Sequence, residues 1–316
     1  MLNVKVAQKQ SLTEDIVRVK LISADNTPLP AWEPGAHIEL HLANGLLRQY
    51  SLCGKSTAEY YEIAILREKD SRGGSAFIHE QLQMFDELLI SEPRNHFPFR
   101  GQSQDETSIF LAAGIGITPI LPMAEWCVAN NLPFEMSVCA STYSTLPYID
   151  RINVLPGTRC YLSQESQSGR LNIREYLAGK PTTMPIYVCG PQRFIDEVTD
   201  SAKDLGWDDK PINREYFSFD NSHNEKEAKA FDVEIKSTSQ IIHIPADKTI
   251  LNTLEDHGIF LPVACEEGVC GTCVTKVLEG QVDHRDVFFN DEERASGELI
   301  TPCCSRAKSS KLILDL

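Results

Sequence analysis

The motif Cys-Glu-Glu-Gly-Val-Cys-Gly-Thr-Cys at residues 265–273, with Cys303-Cys304 further on, constrains this chain more than any other feature. Cys265, Cys270 and Cys273 are separated by four and then two residues. With a distant fourth thiol, that is the spacing of a plant-type [2Fe-2S] site, in which one tight loop wraps one side of the cluster and a ligand from elsewhere closes the other. Gly268 and Gly271 suit such a loop, because backbone N–H groups must approach the bridging sulfides where a Cβ would obstruct them. Adjacent side chains on a strand point to opposite faces, so only one of Cys303 and Cys304 can be the fourth ligand, and spacing alone leaves the choice open. A structural zinc site is the plainer alternative. The extra CxxxxC arm and the glycines weigh against it. Nor does the loop carry the histidine pattern of a Rieske centre. All-cysteine ligation implies a low potential, on the order of −400 mV for plant-type clusters, and so an electron donor.

The rest of the composition fits an intracellular redox protein. Half of the ten cysteines fall in the last fifty-two residues, the N-terminus is polar without the apolar core of a signal peptide, and eighteen apolar residues never run together. A cytoplasmic chain with reduced thiols and no membrane attachment is expected. With 45 acidic against 30 basic residues the formal charge is −15, which disfavours a nucleic-acid partner. A length of 316 residues suggests two domains, or three small ones.

Residues 4–90 contain short β-branched and aromatic runs separated by turn signals at Asp25-Asn26, Pro34-Gly35, Asn44-Gly45 and Cys53-Gly54, the pattern of an antiparallel barrel. Asn44-Gly45 predicts a two-residue type I′ hairpin, and a helix is expected after Gly74. Between residues 108 and 218 strands alternate with helices, which reads as an α/β domain on a parallel sheet. The polar segment at 220–229 reads as a linker. From Ala230 onward the pattern is two strands, a helix at 250–257, the cysteine loop and a closing strand at 311–316.

Two further loops carry chemistry. Residues 108–121, SIFLAAGIGITPIL, read as strand, glycine turn and helix, with Thr118 as N-cap and Pro119 as first helical residue. Free N–H groups there suit a pyrophosphate. The standard GxGxxG fingerprint is absent, since Pro119 stands where Gly or Ala is required, and no acidic residue ends the second strand to hold a ribose. Cys189-Gly190-Pro191 makes a second strand-to-helix turn, and the two together point to one crevice at the carboxyl edge of the sheet. In the barrel, Arg48-Gln49-Tyr50-Ser51-Leu52 on a strand and Gly73-Gly74-Ser75 before a helix offer an arginine fork and amides for a phosphate, and a ring and a hydroxyl for a flavin. An exposed strand with a half-buried tyrosine would read the same way.

Taken in order, RQYSL, GGS, GIGITP, CGP and CxxxxCxxC with a late cysteine resemble the phthalate dioxygenase reductase family, the reductase components of two-component Rieske oxygenases. DHRD at 283–286 and CCSRAK at 303–308 also look like that family. The resemblance covers essentially the whole chain. It implies a multidomain α/β plus β fold: an FMN-binding β-barrel (1–101), a parallel-sheet nicotinamide-binding α/β domain (102–222), a linker (223–229) and a C-terminal β-grasp ferredoxin-like [2Fe-2S] domain (230–316). It further implies FMN with Arg48, Gly74 and Ser75 at its phosphate and Tyr50 and Ser51 near its ring. Gly114, Gly116 and Thr118 would meet the dinucleotide, with Cys189 and Gly190 beside the nicotinamide. Phe219 would stack on the flavin, with Phe217 as competitor. Because the family's late ligand precedes xSRA, the resemblance selects Cys303. It favours NADH, and Ala140-Ser141-Thr142 offers no arginine for a 2′-phosphate. The function implied is NADH-dependent electron transfer through FMN and the cluster to a terminal Rieske oxygenase or demethylase acting on an aromatic acid or a quaternary amine. A reductase serving another acceptor, and a zinc-stabilised interaction protein, are the alternatives. A monomer is expected.

Overall fold

A computed structural model describes the chain apart from residues 56–58, 70, 101–105, 165–168, 209–210 and 221–227. The chain divides into two compact units, Met1–Glu215 and Tyr216–Leu316. Residues 223–227 of the expected linker, and the expected boundary at 101–102, lie outside the described residues.

The first unit opens with strands β1 (Leu2–Ser11), β2 (Ile16–Ser23), β3 (His37–His41), β4 (Leu47–Ser51) and β5 (Tyr61–Leu66), helix α1 (Gly74–Glu80) and strand β6 (Glu87–Ile90). They form one six-stranded sheet in the order β4-β3-β6-β1-β2-β5, antiparallel throughout. Alternation drives it: Val4 and Val6 on β1, Val19 and Leu21 on β2 and Ile63 and Ile65 on β5 turn inward to a common core. The edge strands β4 and β5 approach each other, and the Cys53 N–H donates to the Glu62 carbonyl at 2.9 Å, so the sheet curls into a barrel. The β3–β4 turn differs from the expected type I′ hairpin. Gly45 has φ +82° but Asn44 does not enter the left-handed region, and the loop closes through Leu42 N–H to Leu46 O at 2.9 Å. The Asn44 side chain accepts the Leu46 N–H at 3.2 Å, which favours the longer turn.

The chain continues as β7 (Ser108–Ala113), α2 (Ile117–Ala129), β8 (Phe134–Ala140), α3 (Ile149–Asn153), β9 (Thr158–Leu162), α4 (Ile173–Leu177), β10 (Ile186–Cys189), α5 (Gln192–Asp204) and β11 (Ile212–Glu215). The five strands are parallel in the order β11-β10-β7-β8-β9. Every residue of central β7 is buried, as expected of a strand covered on both faces. Barrel and α/β sheet share a core in which Ile16, Cys53, Ala64 and Phe97 meet Phe110, Ile117 and Tyr187. Buried Glu62 adds a polar tie to this seam: Arg151 reaches it at 3.4 Å and Glu125 at 2.7 Å, while Lys20 lies 3.7 Å from Glu62 on the other side.

The second unit contains β12 (Phe231–Ile235), β13 (Gln240–Ile244), α6 (Ile250–Asp256), β14 (Thr275–Glu279), β15 (Val282–Asp283), α7 (Asp291–Ser296), β16 (Leu299–Ile300), β17 (Arg306–Ala307) and β18 (Lys311–Leu314). The sheet order is β13-β12-β18-β14-β16, with the last strand β18 parallel to the first, β12. Helix α6, capped by the Thr249 hydroxyl accepting the Asn252 N–H at 3.1 Å, packs Ile250 and Leu254 onto this sheet as in a β-grasp fold. Arg306 fastens the far side. Its guanidinium donates to the carbonyls of Lys248 and Pro245 and lies over the Phe231 ring, with 5.1 Å to the centroid.

Candidate functional site

In the second unit the loop after α6 turns back on itself through three left-handed residues, Glu266 (φ +60°), Gly268 (φ +73°) and Gly271 (φ +72°). The tight winding brings Cys265, Cys270, Cys273 and Cys303 together. Cys303 stands within hydrogen-bonding reach of both Cys265 and Cys273, and Cys265 of Cys270. Cys304 also stands within hydrogen-bonding reach of Cys303, with its sulfur against Thr301, at 3.4 Å, and Ser305, at 3.9 Å, but not within such reach of Cys265 or Cys273. Cys265 is held well below the ordinary thiol range, first by Cys270 and Cys303 and then by the amides of Glu267 and Val269. A thiolate facing backbone N–H groups is what a metal–sulfide cluster requires of its ligands. The glycines also have a packing reason. A Cβ at Gly271 would strike the Phe288 ring at 2.2 Å, and one at Gly268 would strike the Cys304 sulfur at 2.5 Å, so both permit the loop to lie against the later half of the domain. Asp286 holds that half in place: its carboxylate accepts from the Phe289 N–H at 3.0 Å and the Ser305 hydroxyl at 3.1 Å and faces His284 at 3.2 Å. The DHRD and CCSRAK segments therefore meet in one buried network behind the cysteines.

The parallel sheet reverses its strand order between β7 and β10, the switch point at which doubly wound sheets open a crevice. Both glycine loops stand at the carboxyl ends of those strands. A Cβ at Gly116 would lie 2.3 Å from the Cys189 carbonyl oxygen, and one at Gly190 would lie 2.8 Å from Ala113 Cβ, so glycine alone lets the loops close on each other. Gly114 is left-handed (φ +57°) with open space before it. Thr118 is not the helix N-cap. The glycine turn Gly114–Gly116 is itself a 3-10 turn that runs straight into α2, so the helix begins at Ile117 and Thr118 is buried with its hydroxyl donating to Ile115 O at 3.0 Å. Pro119 falls at the third helical position, where its missing N–H has no intrahelical partner to lose.

On the barrel, Arg48 lies along the start of α1. Its guanidinium donates to the Leu47 carbonyl at 2.7 Å and the Arg72 carbonyl at 3.2 Å, and a Cβ at Gly74 would sit 2.5 Å from Arg48 Nε. Ser75 is buried, with its hydroxyl donating to Ser71 at 3.0 Å and accepting the Glu68 N–H at 3.2 Å. Arg48, Gly74 and Ser75 are thus one cluster. Tyr50 packs on the barrel core, and burial raises its phenol well above the ordinary range.

One residue went unnoticed in the sequence. Glu215 ends β11 in register with Cys189 on β10, and the Ser51 hydroxyl of β4 donates to its carboxyl group. Glu215 Oε2 is enclosed and has no hydrogen-bond partner among the described residues. Burial pushes this carboxyl up to about 8, so it is protonated at neutral pH. The Cys189 thiol is raised too, by burial and then by Glu215. Ser51, Cys189 and Glu215 therefore form a neutral polar trio where barrel and parallel sheet meet. An enclosed carboxyl oxygen with nothing to bond to fits a bound heteroaromatic ring better than it fits a filled core. In the second unit, Phe219 stands edge-on to Tyr216 with ring centroids 5.6 Å apart, and its N–H donates to Glu267 at 3.2 Å. Phe217 is 39% exposed.

Residues 233–308 match the 2Fe-2S iron-sulfur cluster binding domain. Over the full length of both chains the sequence is 40% identical to the vanillate O-demethylase oxidoreductase of a Pseudomonas species. It is 34% identical to the carnitine monooxygenase reductase subunit of Escherichia coli, covering 100% of this chain and 98% of that one. The crystal structure of phthalate dioxygenase reductase, a modular structure for electron transfer from pyridine nucleotides to [2Fe-2S], matches 100% of this chain and 98% of its own at 32% identity and a TM-score of 0.73. On its fold, its cysteine loop and full-length identity to these reductases, the chain belongs to the phthalate dioxygenase reductase family.

Proposed function

We propose that this protein is the NADH-dependent reductase component of an oxygenase or demethylase system, carrying FMN on the barrel and a [2Fe-2S] cluster on the C-terminal unit. The observation that carries the reading is the coexistence in one chain of the converging cysteines and the neutral Ser51–Cys189–Glu215 trio beside the nucleotide crevice. When bound, flavin and cluster together convert a two-electron hydride donor into a supply of single electrons. The protein supplies position and charge. Arg48 sets a fixed cation against the FMN phosphate, with Gly74 and Ser75 completing the cradle. Tyr50 flanks the isoalloxazine with a neutral ring, and Ser51 offers its hydroxyl to the same ring. Glu215 holds a proton at its carboxyl group at neutral pH and so presents a donor where a carboxylate would repel electron density.

Gly114, Gly116 and Thr118 shape the wall for the dinucleotide, and Cys189 and Gly190 border the nicotinamide. Phe219 remains the candidate for the aromatic that stacks on the flavin ring, with Phe217 as its competitor. Cys265, Cys270, Cys273 and Cys303 ligate the cluster. The end of β8 carries small polar residues without an arginine, which supports NADH over NADPH. No described helix is long and apolar enough to cross a membrane, and a cytoplasmic monomer is proposed. The test is cofactor analysis of the purified chain with steady-state kinetics: one FMN and two iron per chain, with kcat/KM at least tenfold higher for NADH than for NADPH, are expected. One zinc and no flavin would overturn the reading.

A further inference from the structure

Between α6 and the first cysteine the chain runs without regular secondary structure, and its side chains alternate. Ile259 and Leu261 pack on the domain core, and Leu261 and Val263 also pack on the group made by Leu251, Cys273 and Cys303. Phe260 and Pro262 point outward, and Phe260 is 78% exposed. A segment one residue thick therefore has the cysteines behind it and a phenyl ring in water in front. Leaving that ring exposed forgoes about 2 kcal/mol of burial. Charge along this stretch of the sequence is one-sided. From residue 249 to residue 275 the sequence has no lysine or arginine but has Glu255, Asp256, Glu266 and Glu267. Asp256 is matched by Lys248 at 2.7 Å, and the exposed Glu255 and Glu266 flank Phe260 in sequence on either side.

We propose that Phe260 and Pro262, flanked by Glu255 and Glu266, form the docking surface for the electron-accepting protein, which presents an apolar centre ringed by lysines and arginines. This deepens the reductase reading and rests on it. The ring is the anchor that becomes desolvated on contact. The carboxylates steer approach and fix orientation, and the acidic chain as a whole adds to the pull. Docking here puts the acceptor directly over Leu261 and Val263, the side chains that touch the cysteines.

The test is titration calorimetry of the full-length oxidised protein with ferricytochrome c, a probe with a lysine-ringed apolar face, without NADH so that no turnover occurs. Binding that weakens as salt rises is expected. Phe260→Ser should weaken it about tenfold at low salt, and Glu255→Gln should flatten the salt dependence, with the cluster's visible absorbance retained in both. A Phe260→Ser protein that binds like wild type overturns the proposal. So does one whose only change is loss of self-association by sedimentation velocity, which would make the patch a contact between copies. Wild-type protein that binds no cytochrome at low salt also overturns it, while leaving the reductase reading to be judged by its response to NADH.

Discussion

Replacing Glu215 by glutamine is the sharpest probe of the trio at the flavin site. Burial raises the Glu215 carboxyl from an ordinary value of 4.5 to about 8 in the folded chain. A folded-state pKa above the unfolded one means the folded protein binds the extra proton, so stability from this group is complete below about pH 4.5 and is lost as pH rises toward 8. The full difference corresponds to about 5 kcal/mol, and the part falling between pH 6 and pH 8 to about 2 kcal/mol. Glutamine keeps the shape and the hydrogen bond to Ser51 but does not titrate. All three tryptophans, Trp32, Trp126 and Trp207, lie in the first unit, so their fluorescence follows its unfolding. Urea titrations of flavin-free protein at pH 6, 7, 8 and 9 should show wild type losing about 2 kcal/mol relative to Glu215→Gln between pH 6 and pH 8 and only a few tenths more by pH 9. Parallel curves for the two proteins would show that Glu215 ionises freely and refute the assignment of a held proton.

Other expectations follow from the geometry. Arg48→Ala removes the cation beside Gly74 and should let FMN escape on dialysis, and a variant that stays yellow would count against the cradle. Gly116→Ala places a Cβ 2.3 Å from the Cys189 carbonyl oxygen and should raise KM for NADH about tenfold or more while FMN remains bound, measured with ferricyanide as acceptor. Cys270→Ser should abolish the cluster absorbance and cytochrome c reduction yet spare ferricyanide reduction, and loss of both activities would contradict separate flavin and cluster modules. Cys303→Ser should lose the iron that Cys304→Ser keeps, because Cys303 and not Cys304 lies within hydrogen-bonding reach of both Cys265 and Cys273.

Much of this site could be read from the sequence, for a physical reason: ligands on a tight loop and amides at a glycine turn are local, so spacing encodes them. The cysteine loop, the Arg48 strand with Gly74, and the two strand-to-helix turns are of that kind. What spacing could not give was long-range. Glu215 ends a four-residue strand, Ile212–Glu215, with one buried side chain and no periodic signal, and it meets Ser51 and Cys189 only through sheet register. The seam around Glu62 likewise draws on Lys20, Glu125 and Arg151 from distant elements. Local rules also misplaced two details where a longer-range arrangement prevailed. Thr118 looked like a cap until the glycine turn proved continuous with α2, and Asn44-Gly45 looked like a two-residue turn until the Asn44 side chain closed a longer loop.

The most direct test of the account is the anaerobic visible spectrum of the purified protein titrated with NADH. Flavin bands over a broad iron–sulfur absorbance, both bleaching as NADH is added, are predicted. A protein whose flavin bleaches while the iron–sulfur absorbance persists, or one that stays colourless when supplied with FMN, iron and sulfide, would contradict it.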